Sequence, residues 1–146
     1  MGALLYFGLK FLAYTGWCYF GLYKFRADQQ PRLTRSVAYG FLRLLLGLFF
    51  GVLIFVVSMS LISAIGSGLP QNVITYLLVY VPVRWIEWSI ISILIVPDSF
   101  SFSNWAIGSG TKNRLWRFGG IVISCLADIP LIVSLGGVVP VGRFLC

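Results

Sequence analysis

Five ionisable residues, Lys10, Arg43, Arg84, Glu87 and Asp128, lie inside stretches that are otherwise almost wholly apolar. A charge in such surroundings is expensive. At the centre of a membrane-spanning helix an Asp, Lys or Arg costs roughly 2.5–3.5 kcal/mol on insertion scales, so each needs a partner or a task. Arg84 and Glu87 are one helical turn apart. Opposite charges brought together in a dry interior can lock helices in register, or can hold and release a proton or an ion. Lys10, Arg84, Glu87 and Asp128 together are formally neutral, as a buried cluster needs to be, and they form the candidate intramembrane site.

Helical spacing gives each of the four an inward face. Tyr6, Lys10, Tyr14 and Trp17 follow one stripe, Tyr76, Tyr80, Arg84 and Glu87 follow another, and Ser124, Cys125 and Asp128 share a third. Pro82 lies two residues before Arg84, and Pro130 two residues after Asp128. Each removes a helix hydrogen bond and frees a carbonyl, which predicts kinks beside the charges. Transporters build sites from interrupted helices in this way. Arg43 reads differently: about two turns from the end of its stretch, it can extend its guanidinium to the headgroups. It nevertheless shares a stripe with Gly40, Gly47, Gly51 and Ser58, a helix-packing face whose Gly47 and Gly51 form a GxxxG.

The residues that are missing narrow the chemistry. With no histidine, the chain lacks the commonest general base and most metal and haem ligand sets. Its three cysteines, Cys18, Cys125 and Cys146, show no CxxC spacing and are odd in number, so no disulfide framework is expected. Neither HExxH nor DxxxD is present. No metal and no cofactor is expected.

The elements that carry these residues are long apolar helices. The chain of 146 residues is 59% hydrophobic and 10% charged, with a mean hydropathy of +0.94. Soluble domains carry about 25% charged residues, and one this apolar could not cover itself with polar surface. Spans over 3–24, 36–65, 73–96 and 118–139 each reach the ~20 residues needed to cross ~30 Å of hydrocarbon. The expected fold is an all-α integral membrane protein, a single transmembrane domain over 1–146 in which about four helices pack as a small bundle with short loops. The first stretch, rich in aromatics, also suits a helix lying in the interface.

Eleven basic residues against four acidic ones give a net charge of +7, which in a soluble chain would suggest nucleic acid. Here the basic residues flank the spans and are read as headgroup-facing instead. Lys24, Arg26, Arg32 and Arg35 follow the first span, and Lys112, Arg114 and Arg117 precede the fourth. The turn over 66–72 carries no charge. The positive-inside rule then places both basic loops in the cytoplasm or matrix and both termini on the other side. The loop over 97–116, rich in Ser and Gly, reads as irregular, with Phe100, Phe102 and Trp105 resting on the membrane surface.

Small loops leave little soluble machinery. The leading expectation is a non-catalytic helix-packing subunit of a larger membrane complex, in a bacterial plasma membrane or mitochondrial inner membrane. The partners expected are the lipid bilayer and other membrane subunits or copies of the chain, with no nucleic acid. A small oligomeric transporter or channel using the midplane charges is the alternative. A membrane enzyme acting on lipid is third.

Overall fold

The computed structural model describes residues 2–26, 31–65, 73–96 and 101–134, and all of the regular structure among them is helical. In chain order the helices are α1 (Gly2–Phe25), α2 (Arg32–Ile65), α3 (Val73–Ile95), α4 (Phe102–Ile107) and α5 (Thr111–Ser134). Among the described residues, two segments are long and apolar enough to cross a bilayer, Arg32–Ile54 within α2 and Thr111–Val133 within α5.

The helices pack up-and-down. α1 lies along α2 and also along α5, and α3 packs on α5 and on α2. Residue pairs fix the directions. Tyr6 meets Asp128 while Trp17 meets Trp116, so α1 and α5 run antiparallel. Arg84 meets Asp128 while Arg117 meets Ser92, so α3 and α5 do too.

Small residues set the closest approaches. A Cβ on Gly40 of α2 would lie 2.9 Å from the Thr15 backbone of α1, so only glycine lets these helices pack so closely. A Cβ on Gly120 of α5 would lie 2.5 Å from the Trp88 ring of α3. That ring is held edge-on against Tyr14 and Trp116, at centroid distances of 5.9 and 5.3 Å. Around it, Cys18, Leu22, Ile91, Ile95 and Ile121 complete an apolar core at one end of the packed helices.

Two local expectations change. The stretch over 97–116 is not irregular throughout: Phe102–Ile107 forms a one-and-a-half-turn helix, and α5 starts at Thr111, seven residues before the predicted span. Gly108 separates the two with φ of +96°, and its N–H bonds the Asn104 carbonyl. The two prolines sit inside continuous helices and are exposed, so the carbonyls they free lie on the outward faces of α3 and α5. They are not turned toward the charges, and the analogy with an interrupted-helix binding site does not apply to them.

Candidate functional site

Each long helix presents one polar stripe to its neighbours. On α1 the buried positions are Tyr6, Lys10, Tyr14 and Cys18; on α2 they are Ser36, Gly40, Arg43, Gly47 and Gly51; on α3, Tyr80, Arg84, Glu87 and Trp88; on α5, Asn113, Arg117, Ser124 and Asp128. The steps of three and four residues are those of one helix face, so the sequence turns all four stripes inward once the bulky apolar residues turn outward. Ser58 lies outside the described side chains, as do the turn over 66–72 and residues 135–146.

Asp128 is the centre of one network. Its Oδ1 accepts from the Tyr6 hydroxyl at 2.6 Å and pairs with Lys10 Nζ at 2.8 Å, and its Oδ2 pairs with Arg84 Nη2. Arg84 Nη1 also donates to Cys125 Sγ at 2.8 Å. One carboxylate therefore ties α1, α3 and α5 together. A second ion pair joins Arg43 Nη2 of α2 to Glu87 Oε2 of α3 at 2.6 Å. Every one of these five charged side chains is fully buried. Glu87 also lies within electrostatic reach of Arg84 and Lys10, so the two networks are neighbours.

Each cation rests on an aromatic ring as well. Lys10 lies 4.8 Å from the Tyr6 centroid, Arg43 lies 4.8 Å from Tyr14 and 5.2 Å from Trp88, and Arg84 lies 5.6 Å from Tyr80. In a desolvated site such contacts are worth up to about 2 kcal/mol each. Among the described residues, the polar atoms buried with no hydrogen-bond partner include the Tyr14 hydroxyl, Thr15 Oγ1, Trp116 Nε1 and Glu87 Oε1.

Arg117 forms a separate centre about three turns along α5. Its guanidinium has five N–H donors, and five acceptors meet them: Asn113 Oδ1, Ser89 Oγ, Ser92 Oγ and the carbonyls of Asn104 and Trp105. Trp85 adds a face to the cation at 5.7 Å and donates its Nε1 to the Ala106 carbonyl at 2.9 Å. The result is a clamp that fastens α4 to α3 and α5.

Arg43 lies with the α2 glycines and not at the headgroups, because α2 packs with its glycine stripe inward and that turns Arg43 onto Glu87. One expectation is corrected: Arg117 does not face headgroups. The earlier start of α5 puts it on the inner face, one turn from Asn113, where the α4 carbonyls converge. Of the four residues read as one neutral cluster, Lys10, Arg84 and Asp128 bond directly, whereas Glu87 bonds Arg43.

The remaining basic residues lie together. Antiparallel packing gathers the end of α1 and the starts of α2 and α5, so Lys24, Arg26, Arg32, Arg35, Lys112 and Arg114 occupy one end of the packed helices, all exposed or half-exposed. Asn113, Ser89 and Ser92 were missed as site residues. A signal for Asn113 and Arg117 exists, because extending the Ser124–Asp128 stripe backward in steps of three and four reaches both. Nothing in sequence spacing announces that main-chain carbonyls of a separate short helix will complete the ligand set.

Among the described residues no group of His, Cys, Asp or Glu is arranged to hold a metal ion. No family model, curated protein or solved structure matches this chain.

Proposed function

We propose that this chain is a non-catalytic multi-pass membrane protein that serves as a helix-packing subunit of a larger membrane assembly. In this reading α1, α2, α3 and α5 all cross the bilayer, the basic end faces the cytoplasm or matrix, and both termini lie opposite. The observation that carries it is where the charge goes. Lys10, Arg43, Arg84, Glu87 and Asp128 form bonds between helices, and all four long helices take part. Charge committed to helix–helix pairing fixes register and orientation, which is the best-attested use of buried ion pairs.

The outward surface supports a lipid or protein neighbour over water. Leu4 and Leu12 on α1, Phe41, Phe49 and Val52 on α2, and Leu126 and Val133 on α5 are all exposed. An apolar exterior over a charged interior inverts the partition of a soluble domain. Extended apolar surface of this kind marks membrane or subunit contact.

The test is the particle mass after extraction in mild detergent, by native mass spectrometry. A hetero-complex is the expected result, and a monomer or homo-oligomer at native abundance contradicts the subunit reading. A transporter is the second reading, favoured by the uncommitted Glu87 Oε1. It requires that Glu87→Gln abolish flux in reconstituted vesicles while leaving the particle mass unchanged.

A further inference from the structure

The basic end of the packed helices carries more positive charge than the chain can answer. Lys24, Arg26, Arg32, Arg35, Lys112 and Arg114 gather there, six cations that are all exposed or half-exposed. The two acidic residues among the described ones, Glu87 and Asp128, are bonded to Lys10, Arg43 and Arg84 instead. Three acidic groups lie outside the described residues: Asp28, Asp98 and the C-terminal carboxylate. Counting all three against the basic end still leaves an excess of three positive charges, whichever of the cations pair.

Two of the six cations are seated on outward-facing rings. Lys24 Nζ lies 5.7 Å from the Phe20 centroid on its own helix, and the Arg32 guanidinium of α2 lies 5.6 Å from the Tyr23 centroid on α1. Phe20 and Tyr23 are three residues apart, hence neighbours on α1, and both are exposed. Cations from two helices thus stand over adjacent rings. Exposed apolar side chains continue along both helices from this level, Leu9 and Leu12 on α1 and Leu33, Val37 and Phe41 on α2. Basic residues interleaved with aromatic rings, at the edge of an apolar surface, suit an acidic headgroup above and its chains below.

We propose that Lys24 and Arg32 bind the phosphate of an acidic phospholipid whose acyl chains lie on the outward faces of α1 and α2. Such a lipid answers both features of the surface, the excess charge and the exposed apolar side chains beside it. A zwitterionic phospholipid covers the apolar side chains but brings its own cation, so the excess stays. A soluble anion neutralises charge and leaves the apolar surface bare. The inference deepens the multi-pass reading proposed above, on which it rests, and does not depend on a partner subunit.

The experiment is thermal unfolding of the purified full-length protein in detergent micelles doped with phosphatidylglycerol or with phosphatidylcholine of the same chains, at about 0.15 M salt. Saturable stabilisation by phosphatidylglycerol and none comparable by phosphatidylcholine is expected, as for a ligand that binds only the folded state. Lys24→Gln/Arg32→Gln should weaken the apparent affinity for phosphatidylglycerol about tenfold or more, the loss expected for charge-assisted bonds to phosphate. Lys112→Gln/Arg114→Gln removes the same charge from the same end and keeps the ring-seated pair. It should weaken binding by no more than about threefold, because cations out of contact with the phosphate act only through a screened field. If Lys24→Gln/Arg32→Gln does not fold, Lys24→Gln alone, at an exposed position, decides the matter by binding phosphatidylglycerol more weakly than wild type. Equal stabilisation by the two lipids overturns the proposal, and so does equal weakening in the two double variants, which would mean a diffuse field without a site. Stabilisation by inorganic phosphate that matches phosphatidylglycerol overturns the lipid as occupant. Carbonate extraction of cell membranes tests the multi-pass reading separately. Protein that resists extraction yet shows no preference between the lipids overturns this inference alone, whereas protein released by carbonate overturns both.

Discussion

Replacing Arg117 by lysine keeps the charge and changes only the number and geometry of donors, which makes it the sharpest perturbation of the α4 clamp. Arginine presents five N–H groups and lysine three. Since five acceptors meet Arg117, at least two of them must lose their partner in Arg117→Lys. An orphaned buried acceptor costs about 1–3 kcal/mol, and the lower figure applies where the acceptor has another bond. The Asn104 carbonyl has one, from the Gly108 N–H at 2.9 Å, and Ser89 and Ser92 still donate to the carbonyls of Trp85 and Ser89. A cost of about 2 kcal/mol follows, which is a ~30-fold rise in the population with α4 released. Hydrogen exchange read by mass spectrometry on peptides covering 101–110 measures it directly, through amides such as those of Trp105 and Gly108. Exchange there should quicken about 30-fold while peptides from the middle of α1 and α3 keep their wild-type rates. Unchanged exchange over 101–110, or acceleration spread evenly over all helices, would refute the assignment of Arg117 as a local clamp.

Other substitutions probe the packing and the ion pairs. Asp128→Asn leaves Lys10 and Arg84 buried without their carboxylate, a loss of about 3–5 kcal/mol, and should give aggregated protein on size exclusion where Tyr6→Phe, losing one hydrogen bond, stays monodisperse. For Arg43 and Glu87, the double variant Arg43→Met/Glu87→Met should be more stable to denaturant than either single one, because no charge is left stranded; additive losses would mean that the pair contributes independently of each other. Gly120→Ala forces a methyl onto the Trp88 ring and should lower the thermal midpoint by the equivalent of about 1–3 kcal/mol. By contrast Gly8→Ala and Gly16→Ala meet nothing within 4 Å, so the helix preference of alanine should make them neutral or stabilising in the same assay.

Most of the inward faces were legible in the sequence, because a helix face repeats every three to four residues whatever it packs against, but the burial of Arg117 and Asn113 was not read from it. The stripes through Lys10, Arg84 and Asp128 could be drawn from spacing alone, and the depth of Arg84 and Asp128 within their stretches placed them level. The glycine stripe of α2 was equally visible, and Arg43 stands on that stripe. Pairing was harder to read. Whether Glu87 meets Arg84, one turn away on its own helix, or Arg43 on another depends on how α2 and α3 rotate about each other, and rotation is a property of two surfaces in contact.

By itself, then, the sequence determined the four long helices, most of the faces they bury and the residues too costly to leave in an apolar setting, since each follows from local periodicity and the free energy of desolvation, but not the short helix α4. Only the tertiary structure decided who meets whom. It gave Asp128 to Lys10 and Arg84, gave Glu87 to Arg43, and closed five acceptors from three helices around Arg117. The reason is physical. Spacing along one helix sets an angle around its axis, whereas an ion pair between helices needs a matching angle, depth and distance on both, and packing alone supplies the last two.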